Sequence, residues 1–316
     1  MRVSNAHQVQ KEQINWKHID LVLCSSGFEA RASYFASQTP IADFKWRFTL
    51  PFKGQKTLSR VTNDGIFSNL RFDFLREIDG DDIKSARNAF LHCLNVMKES
   101  GLQEASIAID YSCMTRAWYG AFINCLFSIS GLFSKLNVYF SYSPSTFSPP
   151  LETSPNDFVG PLPGFCILRP MDKPVALLIG LGYERVRAAG LREYVDPAET
   201  LLFYTDPAID PQFSKAVFDN NKALIEFVKI SNLIRHPLSD LDATTALLHD
   251  ATSTLSKDYR VIVAPLGVKP FSLLSMLLSA RYNEFDLWRV SGGGFAAPAQ
   301  REACGELLIY QVCFTD

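Results

Sequence analysis

The sequence predicts an α/β protein made of two tandem units, each with a mostly parallel, doubly wound sheet. In both halves of the chain, short apolar runs alternate with segments of helical composition, a pattern typical of parallel strands joined by helices. Two turn motifs also recur at one spacing. Adding 155 carries Gly27 onto Gly182 and Asp110 onto Pro265. We therefore expect one unit of about 130 residues to be used twice.

Two strand-like runs repeat at the same spacing. The run 46–50 maps onto the run that begins at Leu201, and the run 70–74 maps onto the run that begins at Ile225. These four matches predict two units related by a pseudo-two-fold axis, with their strand-end loops facing one cleft. A functional site is expected where the two copies of these loops face each other.

The composition indicates an ordinary globular protein. The 316 residues are 47% hydrophobic and 20% charged, and the net charge of −2 means that a polyanion would have to meet a local cluster of cations. The seven cysteines form no Cys-x-x-Cys pair, which favours free thiols in a reducing cytoplasm. The first residues lack the apolar core of a signal peptide, and the longest nearly uncharged stretch, 118–133, is too interrupted to span a membrane.

Proline content predicts where one unit ends and the next begins. Residues 143–174 carry eight prolines and few charges, which is typical of an extended junction between domains. Residues 1–18 are polar and aperiodic and are expected to form a short arm. We therefore predict an arm at 1–18, a first unit at 19–148, a linker at 149–171 and a second unit at 172–316.

Hydrophobic periodicity and turn residues predict the individual elements of both units. In the first unit we expect strands at 19–24, 46–52, 70–74, 105–110 and 136–140, and helices at 28–37, 81–97 and 115–127. In the second we expect strands at 175–179, 201–204, 224–230, 260–264, 287–290 and 306–314, and helices at 213–221, 239–256 and 271–281.

Small and polar residues follow the first strand of each predicted unit. They are Ser25, Ser26 and Gly27 in the first half and Gly182 in the second. Open parallel sheets bind ligands beyond the carboxyl ends of their strands, where glycine lets the backbone approach a ligand and the next helix presents N–H groups to an anion. A phosphate group is the expected guest of such turns.

Paired acids and arginines come directly after these glycines. Glu29 and Arg31 follow Gly27, while Glu184, Arg185 and Arg187 follow Gly182. Two interpretations remain open. Each acid can cap its helix while each arginine pairs on the surface, or the arginines can reach a ligand phosphate. Repetition in both halves favours a shared role.

The fourth strand of each unit is also followed by chemically useful groups. Asp110, Ser112, Thr115 and Arg116 combine a carboxylate, two hydroxyls and a guanidinium, and helix capping is the alternative use for Asp110 or Ser112. In the matched loop, Gly267 allows a close approach and Lys269 is either a solvated lysine or a point charge for phosphate.

Two further residues, Ser291 and Gly292, open a glycine-rich stretch after a late strand of the second unit. That stretch is either a flexible loop or a cradle for a ligand, and the sequence does not separate the two. We include both residues in the candidate ligand site.

Several standard site motifs are absent. Arg185 stands where a dinucleotide fingerprint beginning at Gly180 requires glycine, and the chain has no ATP-binding P-loop. His92, His236 and His249 lack the paired spacing of metal ligands, so neither a metal nor a cofactor is expected. Cys113 lies at a strand-to-helix turn without a nucleophile-elbow motif, which favours a buried thiol beside the turn.

Two Rossmann-like units, with Ser25-Ser26-Gly27 and Gly180-Leu181-Gly182 after the first strands and Gly267-Val268-Lys269 after a fourth, resemble the CRISPR-associated Rossmann fold (CARF) domains. The tandem arrangement over residues 19–316 resembles the related SAVED sensors of prokaryotic antiviral defence. This resemblance implies recognition of a cyclic or linear oligonucleotide second messenger, with an effector protein as partner. The loop after Asp110 departs from the family pattern, which has Gly-x-Lys there.

Three functions remain open from the sequence. Binding of a phosphorylated ligand without turnover is the preferred interpretation. A nucleotide-processing enzyme, such as a phosphodiesterase or a ring-nuclease-like hydrolase, would use Asp110 as the base and Arg116 with Lys269 to stabilise developing charge. The third possibility is a scaffold subunit of a larger complex.

Overall fold

The computed structural model describes residues 1–54, 56–149, 156, 158–167, 172–291 and 299–316. The chain divides into two compact units. The first comprises Met1–Thr146 together with Pro298–Asp316, and the second comprises Phe147–Ala297. Each unit combines a mostly parallel sheet with helices, which confirms the predicted fold class.

The described residues form thirteen strands and eight α-helices. The strands are β1 (Arg2–Val9), β2 (Leu21–Ser26), β3 (Trp46–Pro51), β4 (Asp73–Phe74), β5 (Glu104–Asp110), β6 (Lys135–Tyr142), β7 (Phe158–Pro161), β8 (Val175–Gly180), β9 (Glu199–Thr205), β10 (Leu233–His236), β11 (Arg260–Pro265), β12 (Phe285–Ser291) and β13 (Leu308–Thr315). The helices are α1 (Tyr34–Gln38), α2 (Arg60–Asn69), α3 (Ile83–Glu99), α4 (Arg116–Ser128), α5 (Arg187–Val195), α6 (Pro211–Phe227), α7 (Leu241–Leu255) and α8 (Lys269–Tyr282).

The two sheets share one strand order. The first runs β1-β13-β6-β5-β2-β3-β4 and the second runs β10-β9-β8-β11-β12-β7. Within each unit, the five mutually parallel strands therefore lie in the order 3-2-1-4-5 when numbered along the chain. An antiparallel strand lies beside the fifth strand in both sheets, β13 in the first and β7 in the second. Two units with one topology are consistent with the predicted duplication.

This strand order places a topological switch point in each unit. The chain runs outward in opposite directions from the β2/β5 pair in the first sheet and from the β8/β11 pair in the second. Connections that leave two adjacent parallel strands in opposite directions open a crevice at the carboxyl edge of the sheet. The predicted ligand loops after Ser26, Asp110, Gly180 and Pro265 all lie at these two switch points.

The pairing of the strands corrects the prediction that one spacing of 155 residues relates all parts of the two units. Leu21 pairs with Ile107 in the first sheet, and Ala176 pairs with Val261 in the second. If Leu21 corresponds to Ala176, the offset is 155 for the first strand but 154 for the fourth. Asp110 then corresponds to Ala264 and not to Pro265, so the insertions and deletions between the two copies change the offset along the chain.

Three segments lie elsewhere than the sequence predicts. The strand at 306–314, assigned to the second unit, is β13 and pairs with β6 of the first sheet, because its alternating apolar residues complete that unit's core. The arm at 1–18 contains β1, which pairs with β13. The proline-rich linker contributes β7, an edge strand of the second sheet, where proline is tolerated.

Three local elements were predicted wrongly or missed, among them α5, which has no counterpart among the predicted helices. Residues 224–230 were expected to form a strand, but α6 continues to Phe227, with Val217 and Leu224 on its buried face, and the third parallel strand is β10. Helix α2 has no counterpart among the predicted helices, because its buried positions include Arg60 and Asn63 and thus carry no apolar period.

Candidate functional site

The turn after β2 is held in place by polar side chains of α2. Asn63 donates from Nδ2 to the carbonyl oxygens of Gly27 (2.9 Å) and Glu29 (2.8 Å). Ser26 donates to Oδ1 of Asp64 (2.5 Å), and the buried guanidinium of Arg60 donates to the same oxygen (2.9 Å). Ser25 and Ser26 are therefore buried inside the turn, which Gly27 completes.

The second unit holds its matched turn in the same way. Asn221 of α6 donates to the carbonyl oxygen of Gly182 (2.8 Å), and Asn220 donates to that of Tyr183 (2.5 Å). In both units, an asparagine of the second helix thus binds the carbonyl of the glycine after the first strand. This shared contact supports the correspondence of Gly27 with Gly182.

The predicted acid and arginine pairs bind each other. In the first unit, Nε of Arg31 lies 2.6 Å from Oε2 of Glu29, and the guanidinium is 2% exposed. In the second, Nε of Arg187 lies 2.6 Å from Oε2 of Glu184, without the alignment of a hydrogen bond. Arg185 donates to Asn220 (3.0 Å) instead.

The environment of Arg31 differs from what its sequence position suggests. Its Nη1 donates to the carbonyl oxygen of Ser143 (2.7 Å) and lies 3.4 Å from the Tyr142 hydroxyl, whose ring it also faces. Burial acts to lower the pKa of Arg31, but Tyr142, Glu29 and Cys113 together raise it above the ordinary value. Arg31 is therefore a charged group inside the first unit, and contact with a ligand would require the turn to open.

The turn after β5 is organised by Asp110. This carboxylate is 1% exposed, and its Oδ1 accepts hydrogen bonds from the Ser112 N–H (3.1 Å) and from the Ser112 hydroxyl. Ser112 in turn accepts from the backbone N–H of Ser143 (2.7 Å). A base that removes a proton from substrate must lie within hydrogen-bond reach of it. The geometry suits Asp110 to shaping the turn.

The start of α4 lies next to the loops that follow β3 and β4. Thr115 caps the helix by accepting from the Trp118 N–H (3.3 Å), and its hydroxyl donates to the carbonyl oxygen of Gly80 (2.6 Å). Trp118 stacks on Phe52 with ring centroids 4.1 Å apart. Arg116 is the first residue of the helix and is partly exposed.

The glycines at the second switch point pack two loops together. Gly267 donates its N–H to the carbonyl oxygen of Gly180 (2.8 Å), and a Cβ at Gly267 would overlap the Leu181 carbonyl oxygen. A Cβ at Gly182 would lie 2.8 Å from the Leu266 carbonyl oxygen. The side of each glycine where a Cβ would point is thus filled by the neighbouring loop, and no phosphate can enter there.

This packing predicts a large effect of a single methyl group. We expect Gly267→Ala to destabilise the second unit by at least about 2 kcal/mol, because the opposing atoms are backbone and cannot rotate away. Gly65 is the matched control, since it lies inside α2 with nothing within 4 Å of the added Cβ. Gly65→Ala should stabilise the protein by about 0.5–1 kcal/mol in urea unfolding. Equal effects of the two substitutions would contradict this assignment.

The remaining predicted site residues belong to the second unit. Lys269 is the first residue of α8, and Ser291 ends β12 opposite Phe158 of β7. Gly292 lies outside the described residues. On the second unit, a shallow cleft of about 280 Å³ is lined by Asn156, Arg185, Val186, Arg187, Ala189, Gly190 and Glu193.

Sequence reasoning missed the residues that hold the turns. They are Arg60, Asn63, Asp64, Tyr142 and Ser143 in the first unit and Asn220 and Asn221 in the second. One signal was available: asparagine is unfavourable inside a helix unless its side chain is used elsewhere, and all three turn-binding asparagines lie inside helices.

The described residues contain neither a candidate metal-binding cluster nor a helix suited to crossing a membrane. No cluster of three or more His, Cys, Asp or Glu side chains there could hold a metal ion. No helix in the described part of the chain has the length and apolar character that crossing a membrane requires. Comparisons with models of known protein families and with curated proteins find no match to this chain.

Proposed function

We propose that the first unit binds a phosphorylated ligand, namely a nucleotide or an oligonucleotide second messenger, at the carboxyl edge of its parallel sheet. The observation that carries this proposal is the amino terminus of α4 beside the β2/β5 switch point, with cationic side chains on the surrounding loops. Helix amino termini attract anions because their N–H groups and the helix dipole present partial positive charge.

Two cations are placed to reinforce this positive end. Arg116 begins α4, and Lys53 follows β3 on the loop whose Phe52 stacks against Trp118 of the same helix. The Lys53 ammonium is 65% exposed and lies 3.6 Å from Asp79, a surface pair that costs little to break. Arginine can bind a phosphate through two parallel N–H groups, and lysine adds a point charge.

The polar groups deeper in the unit favour binding over turnover. Asp110, the base required by the alternative hydrolase, is buried under Ser112. Arg31, a candidate for contact with a ligand phosphate, binds Glu29 and the Ser143 carbonyl instead. Both residues keep the strand-end turns in shape, which suits a preformed binding surface.

The ligand class and biological role come from the resemblance to CARF and SAVED sensors. On the basis of that resemblance, the proposed ligand is a cyclic or linear oligonucleotide of antiviral defence. A separate effector protein would respond when this ligand is bound. A cytoplasmic location belongs to the same proposal, because all seven cysteines are free thiols.

A thermal-shift screen tests this function. A ligand that binds only the folded protein stabilises it by about 2.7 kcal/mol at a free concentration of 100 times its Kd. We expect mononucleotides, dinucleotides or cyclic oligonucleotides to raise the melting temperature more than inorganic phosphate does. No shift with any phosphorylated compound would refute the proposal.

Matched variants locate the site. Lys53→Ala combined with Arg116→Ala should weaken binding at least tenfold, because charge-assisted contacts contribute about 1.5–3 kcal/mol each. The control is Lys17→Ala, an exposed lysine just before β2 at the amino edge of the same sheet, which should leave affinity unchanged. Equal affinity of the double variant and the control would place the ligand elsewhere.

A further inference from the structure

Cys113 is one of three partly exposed cysteines, together with Cys304 and Cys313. Cys24, Cys93 and Cys125 are buried, while Cys166 is exposed. Burial, with Asp110 and Cys113 adding to the effect, raises the pKa of Cys24, and burial raises that of Cys93 to about 12. Such thiols are poor nucleophiles, because the thiolate is the reactive form.

Cys113 is partly exposed and already engaged with a proton acceptor. Its thiol donates to Oε2 of Glu29 at 3.7 Å, and the same oxygen accepts the Nε–H of Arg31 at 2.6 Å. A thiol, a carboxylate and a buried guanidinium thus share one oxygen atom at the switch point. Gly27 lies beside this cluster, where a Cβ would make an ordinary van der Waals contact with the Cβ of Cys113 at 3.8 Å.

One terminal nitrogen of the Arg31 guanidinium makes no hydrogen bond to the described residues. Arg31 is 98% buried, and among the described residues its Nε and Nη1 have hydrogen-bond partners but its Nη2 has none. In a guanidinium, Nε–H and one N–H of Nη2 point the same way, which is the geometry of the bidentate pair with a carboxylate. The unused N–H therefore faces the side of Glu29 and the Cys113 thiol, where it can bind a second anion.

We propose that Cys113 is an oxidisable thiol, with Glu29 as the proton acceptor and Arg31 as the donor that holds the oxidised, anionic product. The sulfur attacks one oxygen of hydrogen peroxide, the O–O bond breaks, and Glu29 passes the thiol proton to the departing hydroxide. The products are the Cys113 sulfenic acid and water, and the peroxide is the oxidant. When the sulfenic acid ionises, its oxygen accepts from Nη2 of Arg31.

Peroxide oxidation of the full chain, without added nucleotide, tests this site. Sulfenic acid is trapped with dimedone and quantified at each cysteine by peptide mass spectrometry. We expect Cys113 to be labelled at least ten times faster than Cys166, although Cys166 is more exposed, because a positioned base accelerates the reaction. In urea the ratio should fall to about one, since only the fold positions the base. Equal rates in the folded protein would overturn the inference.

Two substitutions assign the roles. Glu29→Gln keeps an oxygen that can accept from Arg31 but removes the base, so Cys113 labelling should fall at least tenfold while Cys166 labelling stays the same. Cys113→Ser should abolish only the fast label. An unchanged Cys113 rate in the Glu29 variant would show that Glu29 does not take the proton. The comparison within the wild-type chain decides the proposal even if this variant folds poorly.

Discussion

Arg31→Met is expected to destabilise the first unit by about 3–5 kcal/mol, as the loss of one partner from a buried ion pair typically does. The substitution leaves the Glu29 carboxylate, the Ser143 carbonyl and the Tyr142 hydroxyl without the donor that they share. A buried charge that loses its partner keeps its desolvation cost, so the loss exceeds the net contribution of the intact pair. The change in the free energy of unfolding is measured from the midpoint of urea unfolding.

Two further variants separate charge from packing. Glu29→Gln added to Arg31→Met should recover part of the lost stability, because it removes the carboxylate charge that the guanidinium no longer balances. Arg76→Met, at an exposed arginine of the same unit, should change stability little. If Arg31→Met behaves like Arg76→Met, then Arg31 does not hold the switch-point turns together.

Acidification from pH 6.5 to pH 4 should cost the second unit about 3 kcal/mol through His236 alone. The ring is buried, and burial lowers the pKa of His236 from 6.5 to about 4. One ring nitrogen lies 3.2 Å from the Thr205 hydroxyl and the other lies 3.2 Å from that of Thr244, an arrangement that suits the neutral ring. Because the unfolded chain takes up this proton at higher pH than the folded one, stability falls as the pH drops through this window.

His236→Gln isolates this contribution. Glutamine can hydrogen-bond to both threonines but does not titrate, so the stability of the variant should depend less on pH between 6.5 and 4. His18→Gln, the same substitution at an exposed histidine, is the matched control. Urea unfolding of all three proteins at several pH values gives the comparison, and parallel curves for the wild type and the His236 variant would disprove the assignment.

Central strands and long amphipathic helices were predictable from the sequence. Strands β5 and β11 are apolar on both faces because helices cover both sides of a parallel sheet, and α3 has a clear apolar stripe. Helix α2 was not predictable in this way, since its inward face carries the groups that bind the turn after β2. Strand β13 joins the first sheet by pairing with β6, which lies far away in sequence. No local sequence pattern encodes the choice of such a distant partner.

The switch-point turns were predictable in position but not in detail. Glycine and serine after an apolar run correctly mark the two switch-point turns. The sequence could not show that Arg31 turns inward, because an arginine just after such a turn can equally face solvent. Nor could it show that Gly182 and Gly267 serve loop packing, since a glycine that approaches a ligand and one that approaches a neighbouring loop have the same signature.

The pairing of β1 with β13 also governs how the protein is made. Val9 pairs with Ile309, so 299 residues leave the ribosome between the two partners, and all of the second unit lies within that interval. The second unit is continuous in sequence and can fold on the nascent chain as soon as it emerges. The first unit must wait, with the edge of β6 and its buried residues Leu136, Val138 and Phe140 uncovered until β13 arrives. Such an unpaired apolar edge invites aggregation, so we expect this protein to depend on chaperones most strongly late in its translation.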